Sequence, residues 1–449
     1  MTIRGAKYWT LRRLRAVPVL ALVAFALLCA DSARSDFPGQ KRKAPKFKLD
    51  YSQFRGSDGK TLLEVYYRVY NRGLEFVKTD SGYVASYEVE ISIMDGDRIV
   101  DSRSKQRRLL VSDKNRTEST SDYVIDQFDF DIEPGKRKIV GLVTDLRSDA
   151  DTEISFKVKL KNYKPSGKPK VSGIEILHSI MSENRGSQFS KGNITAIPMV
   201  DHELQGGPDG DPALIYFEIY PGKDTTLNAL VETKIRKVTG KLVYHDTVYL
   251  MMNQEVRREV RTIDLTDFKP GDYKLKVEVT KPRNKNPYHT SETRLSVFWP
   301  IESMVRHKYD IVLRQLKYIA TPQEVDALKG AKTENERMDA WKTFWELRDR
   351  TPGDGYNEAK KEFYQRVNYA NHKFRTLRRE GWETDRGRIF LKHGIPDETI
   401  VQPFSPTLSD SYQIWYYYHN VSVPLTFTFI DSFGDGDYRL QYPFDGRRF

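Results

Sequence analysis

The chain runs to 449 residues, 39% of them hydrophobic and 30% charged, a balance that excludes a bundle of membrane-spanning helices and supports two to four globular domains at roughly 100–200 residues each. Lys and Arg exceed Asp and Glu by 11, and five of those positives lie in residues 1–30, where no acid occurs, which leaves an excess of 6 elsewhere. Over the rest of the chain the basic residues are spread among acids, so the concentrated basic stripe of a nucleic-acid-binding surface is absent there.

Residues 1–33 read as a signal peptide. Arg4, Lys7, Arg12, Arg13 and Arg15 precede an apolar run from Ala16 to Cys29, which is too short for a stable membrane anchor and the right length for a cleaved leader. Small residues follow at Ala30, Ser32 and Ala33, and a cut there yields a soluble mature protein of the periplasm or cell envelope with no transmembrane span. Cys29 is the only cysteine and stands where a lipoprotein carries its acylated residue, but Leu28 precedes it in place of a small residue. Cleavage beyond Cys29 leaves no thiol for a disulfide or for catalysis. Lipidation of Cys29 would instead anchor the protein to the membrane.

From residue 46 to 163 the apolar residues alternate. Ala85, Tyr87, Val89, Ile91 and Ile93 interleave with Ser86, Glu88, Glu90 and Ser92, and Ile154, Phe156, Val158 and Leu160 repeat the pattern, as strands with one wet face do. Turn signals at Asp95-Gly96-Asp97 and Pro134-Gly135 complete the pattern of an immunoglobulin-like antiparallel sandwich. Lys164 to Lys170, with Pro165, Gly167 and Pro169, reads as a linker. A second sandwich is expected over residues 170–299, from Ile215, Phe217 and Ile219 and from Tyr273, Leu275, Val277 and Val279. Asp131-Ile132-Glu133-Pro134-Gly135 and Asp267-Phe268-Lys269-Pro270-Gly271 each lead into a strand, an echo that suggests duplication. The loop from Gly206 to Pro212 reads as a mobile surface insertion.

After Pro300 the period becomes helical. Val305, Tyr309, Val312, Leu316 and Ile319 form one run, Met338, Trp341, Trp345 and Leu347 a second behind a cap at Thr333, and Phe363, Val367, Ala370, Phe374 and Leu377 a third. Strands follow over Gln413 to Tyr418, Leu425 to Ile430 and Tyr438 to Tyr442. The fold class is therefore multidomain β plus α+β, with two antiparallel sandwiches ahead of a C-terminal α+β domain over residues 300–449.

Within that last domain, Gly381-Trp382-Glu383-Thr384-Asp385-Arg386-Gly387-Arg388-Ile389 continues to His393-Gly394-Ile395-Pro396-Asp397-Glu398. This stretch resembles the signature of the bacterial GWxTD-domain family. Trp345, Arg348, Asp349, Thr351-Pro352, Asn357-Glu358, Glu362-Phe363-Tyr364, Arg366-Val367 and Tyr369-Ala370-Asn371 upstream, and Ile414-Trp415-Tyr416-Tyr417 and Phe427 to Asp431 downstream, extend the likeness over about a third of the chain. The resemblance implies an exported bacterial envelope protein and brings no assigned activity.

Read physically, Gly381 closes a helix in the left-handed conformation, Trp382 drops into the core, and Thr384 or Asp385 caps the next element. Gly394 and Pro396 turn the chain toward a strand near Thr399. Glu358 and Glu362 share a helix face that Arg366 continues, and Asp385 and Arg386 are expected to approach it. Such a cluster is either an ion-pair lattice that orients helices or an acid/base set. Asp431, Asp435 and Asp437 beside Gly434 and Gly436 suit either a hairpin turn or calcium. No Gly-x-Ser-x-Gly elbow or phosphate loop occurs, and His202-Glu203 lacks the second histidine of a zinc helix. No catalytic set, metal or cofactor is assigned. Two functions remain: a non-catalytic envelope protein that meets a protein partner through its C-terminal domain, with the strand Trp415 to Tyr418 as one contact, and a secreted or periplasmic hydrolase of peptides or glycans that uses Glu358, Glu362 and Asp385 as acids.

Overall fold

A computed structural model describes residues 44–182, 186–222, 227–280, 286–352, 357–376, 378–402, 411–419 and 421–441. The leader assigned to residues 1–33, with Cys29, lies outside the described residues, as do Leu377 and Tyr442. The chain separates into two compact units, one of residues 44–311 with 333–338 and the other of residues 312–332 with 339–441. Among the described residues no helix is long and apolar enough to cross a membrane.

The first unit opens with β1 (Phe47–Arg55), β2 (Thr61–Tyr70), β3 (Val77–Thr79), β4 (Gly82–Asp95), β5 (Arg98–Val111), β6 (Tyr123–Ile132), β7 (Gly135–Asp145) and β8 (Asp151–Leu160). One sheet has the order β1-β2-β6; the other runs β3-β4-β7-β8, with β5 on the free side of β4. The alternation in β4 has the consequence expected of it: Ala85, Tyr87, Val89, Ile91 and Ile93 are buried against Leu63, Val65, Phe128 and Phe130 of the facing sheet. Each such aliphatic burial stabilises the sandwich by roughly 1.5–3 kcal/mol before the chain entropy is subtracted.

Then come β9 (Lys170–Val171), β10 (Glu175–Ser182), β11 (Ser190–Lys191), β12 (Ile194–Pro198), β13 (Glu203–Gln205), β14 (Ala213–Tyr220), β15 (Leu227–Lys237), β16 (Leu242–Met252), β17 (Arg257–Ile263), β18 (Gly271–Thr280) and β19 (His289–Phe298). They form the sheets β11-β12-β10-β14-β17, with β9 on β14, and β13-β19-β18-β15-β16. All pairs are antiparallel except the short parallel match of β13 with β19.

The echo in the sequence extends to the topology. Strand for strand, β1-β2-β6 corresponds to β10-β14-β17, and β5-β4-β7-β8 to β16-β15-β18-β19. Gly135 and Gly271 open the equivalent strands β7 and β18 at φ 146° and 145°, a conformation that glycine adopts without strain. Both long hairpins also shift register near their turns, at Ile93/Met94 and at Ile235/Arg236.

The segment between the sandwiches is anchored. Lys170 donates to the carbonyls of Asn162 and Lys164, and buried Tyr163 packs edge-on against Tyr220. The loop expected to be mobile is tied to the body instead: Gly206 and Gly207 donate to the carbonyls of Phe298 and Leu265, and Gln205 donates to Asp209 O. Composition marked it as a loop and carried no record of these long-range bonds.

Helices follow as α1 (Ile301–His307), α2 (Tyr309–Leu316), α3 (Pro322–Gly330), α4 (Glu334–Glu346), α5 (Glu358–Phe374) and α6 (Asp385–His393). The first helical run is thus broken at Lys308, which leaves helical geometry at φ −138°, ψ 42°. Thr333 caps α4 reciprocally with Glu336, as its position suggested. Helices α3 and α6 lie outside the three periodic runs, although Thr321-Pro322-Gln323-Glu324 spells a capping box with Pro at the first helical position of α3. The strands β20 (Glu398–Gln402), β21 (Ser411–Tyr417), β22 (Leu425–Asp431) and β23 (Arg439–Leu440) form an antiparallel meander in chain order.

Candidate functional site

The signature residues 381–387 sit where the backbones of α5 and α6 come into contact. Gly381 does not close a helix in the left-handed region: α5 ends at Phe374, and Gly381 begins a short 3₁₀ turn, Gly381–Glu383. Its role is close approach. A Cβ at Gly381 would lie 1.8 Å from Ala370 O, and one at Gly387 would lie 1.9 Å from Gly381 O, so two glycines nest one backbone against the next. The left-handed helix end belongs to Gly394, which terminates α6 at φ 80° and whose carbonyl accepts from Tyr417 Oη at 3.0 Å.

Thr384 is the N-cap of α6. Its Oγ1 accepts from Gly387 N at 3.1 Å and donates to Gly381 O at 2.7 Å, so one hydroxyl joins both nested glycines. Trp382 is 4% exposed, with the Arg314 guanidinium 5.2 Å from its ring and its amide donating to Asn371 Oδ1 at 3.3 Å. Ile389, Phe390 and Leu391 carry α6 into the core. There Phe390 stacks on Tyr369 and, with Phe374, meets Trp415 of β21.

The two charged signature residues reach away from Glu358 and Glu362. Asp385 Oδ2 accepts from Leu440 N at 3.0 Å, and its other oxygen lies 3.7 Å from Arg388. Arg386 is buried, lies over Phe374 and Tyr438, and donates to Gly436 O at 3.0 Å. Burial lowers its guanidinium pKa to about 10, against the pull of Tyr438 and the carboxylates of Asp431 and Asp437. Asp431 in turn accepts from the amides of Asp435 and Gly436, and Asp437 pairs with Arg379 and Arg439. The aspartates therefore build and hold a turn. Among the described residues no group of three or more His, Cys, Asp and Glu is placed to hold a metal.

The polar cluster on α5 is a separate set. Glu362 pairs with Arg366 at 2.5 Å, and Arg366 also donates to Leu391 O at 3.4 Å, which ties α5 to the last turn of α6. Glu358 Oε1 accepts from Thr351 Oγ1 at 2.8 Å. The expected approach of Asp385 and Arg386 to this face does not occur, because both side chains turn to the β22–β23 segment. The i,i+4 spacing identified the Glu362–Arg366 pair, whereas partners 50 and 55 residues downstream leave no local signal. Asp397 accepts from the amides of Tyr418 and His419 and from the His419 ring, which holds its carboxyl below the usual range. Pro396 precedes it in the turn to β20. Of the aromatic strand, Trp415 and Tyr417 point into the core, Tyr416 is half-buried and Tyr418 is exposed.

A pair that the sequence reading missed is Glu324 with Arg348. The guanidinium grips both carboxylate oxygens at 2.8 and 2.7 Å, and this contact, helped by Thr321, depresses the Glu324 pKa to about 2.

Residues 300–445 match the GWxTD domain. No curated protein matches the chain. Among solved structures, red sea bream transglutaminase aligns over 63% of this chain and 34% of its own, at 8% identity and TM-score 0.19. A glycosyl hydrolase family 2 member from Bacteroides cellulosilyticus aligns over 52% and 28%, at 10% identity and TM-score 0.20. The BSP domain of a biofilm-associated protein aligns over 61% and 55%, at 8% identity and TM-score 0.18. The chain thus spans about a third of the first two structures, and likenesses at such TM-scores carry no argument about its activity.

Proposed function

With residues 300–445 forming a GWxTD domain, we propose that this is an exported cell-envelope protein with a non-catalytic, protein-binding role. The observation that carries the proposal is how the signature's polar groups are spent. Thr384 joins Gly381 to Gly387, Asp385 holds the Leu440 amide, and Arg386 holds the Gly436 carbonyl. Groups engaged with the protein's own backbone are not poised for proton transfer to a substrate. Asp385 in particular takes partners other than Glu358 and Glu362, so the three acids of the hydrolase reading do not converge.

The tandem sandwiches support a spacer role. Their junction buries Phe54 against Leu177, Ala196 and Tyr216, joins Gly173 N to Gln53 O at 2.6 Å, and pairs Arg68 with Asp201 and Asp50 with His202. A pair of domains locked in this way transmits position along its length. The leader read in residues 1–33 supports export.

The test is fractionation of cells producing the full-length protein, with crosslinking in the intact envelope. The proposal expects the protein outside the cytoplasm, in a crosslinked complex that survives Glu358→Gln and Glu362→Gln. A cytoplasmic location contradicts it. So does a peptide- or glycan-cleaving activity that those two substitutions abolish while the melting temperature holds.

A further inference from the structure

The duplicated topology allows the same edge to be compared in both sandwiches. Strands β5 and β16 occupy equivalent places, each at the end of its four-strand array and each hydrogen-bonded on one side only among the described residues. A free edge offers a row of unpaired amides and carbonyls to any strand that can approach, and proteins usually guard it with charge.

Strand β5 is guarded. It carries Arg98, Arg103, Lys105, Arg107 and Arg108 against a single acid, Asp101. Lys105 and Arg107 also reach across to Asp126 on the edge strand β6 of the other sheet. Two such strands set antiparallel about Lys105 would oppose Lys105 to itself and Arg103 to Arg107.

Strand β16 carries no such guard. Its sequence, Leu-Val-Tyr-His-Asp-Thr-Val-Tyr-Leu-Met-Met, has no lysine or arginine and one acid, Asp246, which lies 3.5 Å from Arg261. Its solvent face presents Val243, Tyr249 and Met251, the last two 72% and 73% exposed, while Tyr244 and Leu250 on the other face pack on the core. This sequence is complementary to itself. Antiparallel pairing about Thr247 sets Val243 opposite Met251 and His245 opposite Tyr249, with Thr247 opposite Thr247, and it continues the inner face with Tyr244 opposite Leu250. Centring on Asp246 would oppose two carboxylates, and centring on His245 two imidazoles, whereas the Thr247 register opposes no like charges and sets Val243 against Met251.

We propose that β16 is a homodimerisation edge: two copies of this chain join through antiparallel β16 strands about a two-fold axis at Thr247, so that the two four-strand arrays become one continuous sheet. The occupant is a second copy, because this edge matches itself in apolar residues and opposes no like charges in that register. A strand pair of this length buries less than a standard interface, so the association is weak and depends on concentration.

Sedimentation velocity of the full-length Cys29→Ser protein over about 1–200 µM tests it. The proposal expects a dimer fraction that rises with concentration and is lost in Thr247→Lys, whose like charges meet at the axis, with an unchanged melting temperature. The second measurement does not depend on that variant. In the Cys29→Ser background, Thr247→Cys should form an intermolecular disulfide at least about tenfold faster than Arg108→Cys on the guarded edge, since facing Cβ atoms at the axis come within about 5 Å. A monomer across the whole range overturns the proposal. So does a dimer that persists in Thr247→Lys, or equal crosslinking at the two positions.

Discussion

Replacing Gly387 by Ala separates local propensity from tertiary packing, because the two predict opposite signs. Gly387 lies in the first turn of α6 with no left-handed φ, so propensity alone predicts a gain of about 0.5–1 kcal/mol for Ala. The structure puts the new methyl 1.9 Å from Gly381 O and 2.8 Å from Trp382 Cα. Ordinary van der Waals contact begins near 3.5 Å, so the backbones must separate by more than 1 Å. Both close neighbours are main-chain atoms, and no side chain can swing aside. Separation also breaks the 2.7 Å bond from Thr384 Oγ1 to Gly381 O. Overpacking costs about 1–3 kcal/mol and the lost buried hydrogen bond about another 1 kcal/mol. After the propensity gain, the net loss is about 1–3 kcal/mol. The assay is urea denaturation followed by tryptophan fluorescence. Gly330→Ala is the control: that glycine ends α3 with open space around its Cβ position, and its substitution is expected to be neutral or stabilising. A Gly387→Ala protein as stable as the parent would refute the nested-glycine account.

Trp382→Ala should cost roughly 3–5 kcal/mol of C-terminal-unit stability in the same assay, because a 4% exposed indole leaves a packed site. Glu324 has a depressed pKa, so its contribution is full above the unfolded value near 4.5 and is lost as pH falls toward about 2. Glu324→Gln should therefore cost about 1–2 kcal/mol at pH 7, a figure reduced for partial exposure, and almost nothing at pH 2. At the sandwich junction, burial of Glu175 beside Glu64, opposed by Lys191, pushes its pKa up to about 7. The Asp50 carboxylate raises that of His202 in spite of burial. Both groups favour the protonated form, so sandwich stability is full below the unfolded values and declines as pH rises through 7. Melting curves at pH 6 and 8 should show that decline, and Glu175→Gln should flatten it.

The features legible in the sequence are those set by neighbours along the chain. The alternation from Ala85 to Ile93 specified a strand and its buried face. Thr333 specified a cap, and the paired Pro-Gly turns marked the equivalent strands of a duplication. The features that escaped are tertiary. Gly381 and Gly394 are both candidates for a left-handed helix end on local grounds, and only the approach of Ala370 O to Gly381 separates their roles. Glu64, Glu175 and Lys191 come together from positions 111 and 127 residues apart, a distance over which periodicity says nothing. Asp385 and Arg386 read as neighbours of the α5 acids because they follow that helix closely, whereas their partners Leu440 and Gly436 lie beyond three further strands.

Asp385 and Arg386 tie the start of α6 to the C-terminal segment through the Leu440 amide and the Gly436 carbonyl, which makes the pair architectural. The unfolding free energy of Asp385→Asn at neutral pH tests that role most directly. The amide lacks the charge that strengthens the bond to Leu440 N and attracts Arg388, so a loss of about 1–3 kcal/mol is expected. An Asp385→Asn protein of unchanged stability that has nonetheless lost its function in the cell would contradict the architectural account and return Asp385 to the role of a reactive acid.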